Sequence, residues 1–164
     1  MRTAVDDRFA SQIPWMTCLN LSGMDIPPFS CVMTVSALSI KWPWFYPDIS
    51  TQLPLSAQSP YLEVTQPASP IILTGLYLTG SEKIKAGDFG LCAQPLEYPQ
   101  LAALDVPTSQ ADAPYNPIGP VTATWTLSRG KPGFQMMATP QTINGVGYVA
   151  CKIGPPSCPV VESN

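Results

Sequence analysis

Five cysteines, eleven carboxylates and no histidine are the groups from which this 164-residue chain could build a reactive site. Without histidine the commonest general base and the commonest metal ligand are gone. Neither Ser–His–Asp nor Cys–His catalysis can be assembled within one chain. Paired carboxylates could still cleave a glycosidic bond. The acids are scattered, however, and the adjacent Asp6 and Asp7 fall in a polar N-terminal stretch. Cys18, Cys31, Cys92, Cys151 and Cys158 contain no C-x-x-C pair, so no zinc site is expected. Phosphate-loop, dinucleotide and calcium-loop spacings are also missing. The inventory points away from an enzyme, and no cofactor or metal is expected.

The cysteines leave structural alternatives. If Ile13–Val35 folds as a hairpin around Asn20–Pro28, Cys18 faces Cys31 and Met16 faces Met33. Cys18 and Cys31 are then either a cross-strand disulfide or two small reduced core residues. Cys151 and Cys158 bracket Lys-Ile-Gly-Pro-Pro-Ser, a turn tight enough to bring them together. A disulfide there is favoured only if the protein ends outside the cell. An odd cysteine count, with no secretory signal in Met1–Ala10, argues for synthesis in a reducing cytoplasm. The sequon Asn20-Leu21-Ser22 accordingly reads as part of a turn.

Trp42, Trp44, Phe45 and Tyr46 form a third group, stiffened by Pro43 and Pro47. Such rings could plug the end of a barrel, anchor a subunit interface or stack on sugars. These three readings stay open.

The elements that must carry these residues are strands. Twenty prolines and eleven glycines interrupt any long helical pattern. Tyr61–Thr65 and Ile71–Leu78 read as strands, with Gly75 marking a bulge or a close backbone approach. Lys85–Gly90 is a turn into a strand that runs through Ala93. Alternation over Thr122–Leu127 predicts a strand, with Trp125 in the core, that pairs with Phe134–Ala138. In that register Leu127 faces Phe134 and Trp125 faces Met136. Gly145–Ile153 is a last strand, and a short helix is expected at Leu96–Leu104. No internal repeat is visible. The fold class is all-β, an antiparallel barrel or sandwich with long proline-rich loops and extended terminal arms. The chain divides into an arm at 1–12, a single β domain at 13–153 with a proline-rich excursion at 94–120, and a tail at 154–164.

Charge decides the class of partner. Charged residues make up 12% of the chain while 45% is hydrophobic, against roughly 25% charged for an ordinary domain. No basic residue lies between Lys85 and Arg129, so there is no footprint for nucleic acid. No apolar run reaches the ~20 residues of a membrane-spanning helix. A surface so poor in charge is expected to be covered by neighbours in a closed homo-oligomer, with a trimer favoured.

Three segments carry a resemblance. They are Asn20-x-Ser22-Gly23-x-x-Ile26-Pro27-Pro28-Phe29 within Trp15–Val35, then Ile84-Lys85-Ala86-Gly87-Asp88-Phe89-Gly90, then Ser128-Arg129-Gly130-Lys131-Pro132-Gly133-Phe134. In this order they resemble small all-β virion proteins of tailed bacteriophages. The resemblance implies a non-enzymatic capsid decoration (cement) protein that bridges capsid subunits. Its partners would be other virion proteins, the major capsid protein first, with assembly onto the virion in the host cytoplasm. A neck, tail-fibre or baseplate component is the alternative within that class. A carbohydrate-binding module, using Trp42, Trp44 and Tyr46, is the alternative outside it.

Overall fold

The structure is a computed structural model that describes residues 13–35, 40–41, 61–105 and 116–154. The described chain is all-β, as expected, with two sheets. The first contains β1 (Met16–Asn20), β2 (Cys31–Thr34), β3 (Ile40–Lys41), β4 (Tyr61–Thr65), β5 (Leu76–Thr79) and β6 (Phe89–Ala93). Five of them close into a barrel in the order β1-β6-β5-β2-β4, returning to β1. Every seam is antiparallel except β1–β4, which is parallel with Cys18 beside Leu62. Strand β3 extends the same edge of β4 that β2 occupies.

The second sheet contains β7 (Gln100–Ala103), β8 (Pro117–Pro120), β9 (Leu127–Arg129), β10 (Phe134–Met136), β11 (Gln141–Ile143) and β12 (Val146–Ile153). Its order is β11-β12-β10-β8-β9, with β7 on the other edge of β12. A parallel bridge between Leu104 and Leu127 brings its two ends together. The β11–β12 turn is made by Asn144 and Gly145, with φ of 52° and 80°. Two successive left-handed residues give the tight hairpin twist that Asn-Gly favours.

Alternation sends side chains from the strands into two cores. Cys18, Val32, Leu62, Val64 and Cys92 fill the barrel together with Ile26 and Ile84. Cys31, Met33, Leu76 and Leu78, on the other face of β2 and β5, pack against Ile118, Leu127, Phe134, Met136, Val149 and Cys151 of the second sheet. Strand β2 is therefore buried on both faces.

Both expected hairpins are replaced by longer-range pairings. Strands β1 and β2 are not neighbours; Met16 lies beside Cys92, and Cys31 beside Leu78. Their shared loop crosses the barrel end instead, held by the wholly buried Asn20. The Asn20 amide nitrogen donates to Met24 O at 2.7 Å and Ile84 O at 3.0 Å, and its oxygen accepts from Ser22 N and Oγ. Likewise β9 and β10 flank β8 and do not pair. Prolines at both ends of β8 disguised it as loop, because proline is confined to strand starts, edges and bulges. Gly119 lets the neighbouring turn close over β8; a Cβ there would lie 1.9 Å from Pro132 O. Thr122–Thr126 is turn and bend, and Trp125 is half-buried against the barrel core. In place of the helix expected at Leu96–Leu104 the chain bends at 96–98 and then forms strand β7 over Gln100–Ala103, whose backbone bonds go to β12. Part of the excursion 94–120 is thus sheet, and residues 106–115 lie outside the described residues, as do the arm 1–12 and 155–164 of the tail.

Tyr61–Thr65 and the turn into Phe89–Ala93 stand as read. The strand read at Ile71–Leu78 begins only at Leu76, after a short 3-10 turn at Leu73–Gly75. Gly75 is a close approach, since a Cβ there would meet Thr34 Oγ1 at 2.5 Å.

A structural repeat also emerges that the sequence pattern hid. In both β1–β2 and β5–β6 a loop leads to an isoleucine, Ile26 or Ile84, and these two exchange reciprocal backbone bonds of 2.8 and 3.0 Å. Three residues on, each loop has a left-handed residue, Phe29 (φ 56°) or Gly87 (φ 81°). Asn20 N–H donates to Asp88 O as Thr79 N–H donates to Ser30 O. The barrel is built on this approximate twofold.

Candidate functional site

Strand β6 lies in a closed barrel, so its two faces see the interior and the outside. Gly90 and Cys92 turn inward, where a Cβ on Gly90 would lie 2.4 Å from Ile84 Cδ1. Phe89 and Leu91 therefore turn outward, 58% and 52% exposed. Phe89 meets the Tyr61 ring edge to face, with centroids 5.3 Å apart. Trp15, just ahead of β1, lies close over Gly80, where a Cβ would meet its ring at 3.3 Å. A cleft of about 460 Å³ runs between Trp15, Ile84, Phe89 and Leu91, rimmed by Glu82 and Lys83. Lys83 is itself held 3.6 Å from Asp25.

Two further clefts continue this surface. One, of about 300 Å³, shares Trp15, Gly80 and Ser81 with the first and adds Ile13, Phe29, Gln100 and Leu101. The next, of about 440 Å³, shares Phe29 and Leu101 and adds Ile143 and Tyr148. Phe29 stands between them, its ring edge-on to Tyr148 at 5.6 Å. Its left-handed backbone, uncommon for a bulky residue, is fixed by bonds from its N–H to Gly80 O and from Ala103 N–H to its carbonyl. An apolar groove thus runs from the barrel onto the second sheet.

The cysteines are distributed differently from the expected pairs. Cys18 contacts Cys92 inside the barrel, whereas Cys31 and Cys151 lie in the core between the sheets. All four are buried free thiols. Cys158 and the cluster Trp42, Trp44, Phe45 and Tyr46 lie outside the described residues. Among the described residues no three His, Cys, Asp or Glu side chains are grouped to hold a metal ion, and no helix is long and apolar enough to cross a membrane. Sequence reading missed Trp15, Phe29, Phe89, Leu91 and Leu101. The available signal was Phe89-Gly90-Leu91-Cys92, where large and small residues alternate and the small ones fit a crowded barrel interior. No protein-family model, no curated protein and no solved structure matches this chain.

Proposed function

We propose that this chain is a non-enzymatic structural component of a multi-subunit assembly, of the capsid-decoration kind that its turn motifs resemble. The observation that carries the reading is the outward apolar row of Phe89 and Leu91, continued by Trp15 and Leu101. Outward faces of antiparallel sheets are ordinarily polar. Leaving large apolar side chains in water forgoes roughly 25 cal/mol per Å², which a neighbouring subunit would recover. The low charge of the whole chain, 12% of its residues, supports the same reading. In the assembly the protein works by burying surface across subunits and needs no reacting group.

Light scattering behind size exclusion tests the reading at tens of micromolar protein. The wild type is expected as a closed homo-oligomer, a trimer first. Phe89→Ser with Leu91→Ser is expected to shift it toward monomer while leaving the melting temperature within a few degrees. A monomeric wild type, unchanged by the double substitution, would overturn the proposal.

A further inference from the structure

Cys18 and Cys92 are 74 positions apart in the sequence and meet inside the barrel. In the antiparallel seam between β1 and β6, Cys18 stands opposite Gly90 and Met16 opposite Cys92. The two cysteines are therefore diagonal neighbours on adjacent strands, and both side chains turn inward. Both are wholly buried free thiols. Their sulfurs are in hydrogen-bonding contact. The twist of a sheet brings one diagonal closer than the other, and the sulfur contact marks this as the short one.

The other core holds a comparison pair. Cys31 and Cys151 belong to strands of the two packed sheets and share the core between them. Facing sheets lie roughly 10 Å apart, and cysteines whose Cα atoms are more than about 7 Å apart are not bridged unless the backbone moves. One pair thus meets across neighbouring strands, and the other is divided between two layers.

We infer that Cys18 and Cys92 are a latent cross-link of the barrel, open as two thiols and closed as a disulfide that fastens β1 to β6. The oxidant is a low-molecular-weight disulfide of the glutathione class. One cysteine, as thiolate, attacks a sulfur of the oxidant and expels one thiolate from it. The second cysteine thiolate attacks the mixed disulfide, forms the Cys18–Cys92 bond and expels the other. The protein loses two electrons, the oxidant becomes two thiols, and the two cysteine protons end on the expelled sulfurs. Both cysteine sulfurs are sealed in the closed barrel, so exchange takes place while the β1–β6 seam is open, during folding or in a local opening. Closing the seam then holds the sulfurs within reach of each other. Tying the ends of so long a loop restricts the unfolded chain, which makes the cross-linked form the more stable one. The inference stands independently of the assembly reading.

The full chain is unfolded and reduced in urea, then refolded in a mixture of reduced and oxidised glutathione, where disulfides reshuffle until the fold selects among them. Alkylation of the remaining thiols, digestion and mass spectrometry read the pairing. Most folded molecules are expected to carry Cys18 bonded to Cys92. Cys18 left as a thiol in most of them, or bonded to Cys31, Cys151 or Cys158, would overturn the inference. The urea midpoint of the oxidised protein is expected about 1 M or more above that of the reduced protein, and reduction is expected to reverse the shift. An oxidised midpoint equal to or below the reduced one would mean that the seam does not accept the bond, which overturns the inference as well. Cys92→Ala is expected to lose this redox dependence and Cys31→Ala to keep it; the opposite pattern would place the cross-link elsewhere and remove it from the barrel.

Discussion

Asn20 shows what one residue does in a fold with so few charges. It is wholly buried, and its amide donates two hydrogen bonds and accepts two, joining the first loop to the strand-like backbone at Ile84. The sequence reading of Asn20-Leu21-Ser22 as a turn agrees with this, though not the reach across to Ile84, which is remote in sequence. Asn20→Ala leaves several buried groups unpaired and is expected to cost about 3 kcal/mol in urea unfolding. Asn20→Asp keeps the shape but loses both donated bonds, and it is expected to be no better. The thiols give a second expectation. Burial pushes Cys151 up to about 12, from an ordinary value of 9.0, and lifts Cys31 well above that value. Between these values the folded state keeps protons that the unfolded state releases. This contribution to stability is full below pH 9 and is lost as pH rises toward 12. The urea midpoint is expected to be lower at pH 10.5 than at pH 8, and the fall smaller in Cys151→Ala. At pH 8 the four buried thiols are expected to react with a thiol reagent only after unfolding.

At the scale of elements, alternation was a good guide to which residues turn inward and a poor guide to which strands meet. Tyr61–Thr65 and the strand after Gly145 were legible because period-two patterning and turn residues mark them locally. The barrel order was not legible. Cys18 opposite Cys31 satisfies the apolar pattern as well as the observed Cys18 beside Gly90 and Leu62, because pattern fixes a face and not a partner. The same limit hid the groove, since Trp15, Phe29 and Leu101 lie far apart in sequence and meet only through strand order. Two glycines test the order. Gly119→Ala drives a Cβ onto the Pro132 backbone, which cannot yield as a side chain can; loss of about 3 kcal/mol or more is expected. Gly90→Ala meets only the Ile84 side chain, and a cost of about 1–3 kcal/mol is expected for such overpacking. In an Ile84→Ala background that cost is expected to shrink markedly. A thermodynamic cycle measured by chemical denaturation would read the coupling, and strict additivity would mean that the two residues do not touch.

For the whole molecule, β2 makes the two sheets one unit. Val32 belongs to the barrel core, and Cys31 and Met33 to the core between the sheets. One cooperative transition is expected by calorimetry, with calorimetric and van't Hoff enthalpies in agreement. Separate melting of the sheets would show that the shared strand does not couple them. The placement of β1 has a consequence for biosynthesis. Its neighbours are β4 on one side and β6 on the other, so on the ribosome one edge stays open until Thr65 has been made and the other until Ala93. At roughly 5–20 residues per second that interval is about 4–15 s. During it an apolar strand with at least one unsatisfied edge is offered to any other nascent copy. Slower, cooler expression gives each chain time to close its own ring before it meets another. Soluble yield is therefore expected to fall as more copies are translated side by side, through an edge that the finished barrel no longer has.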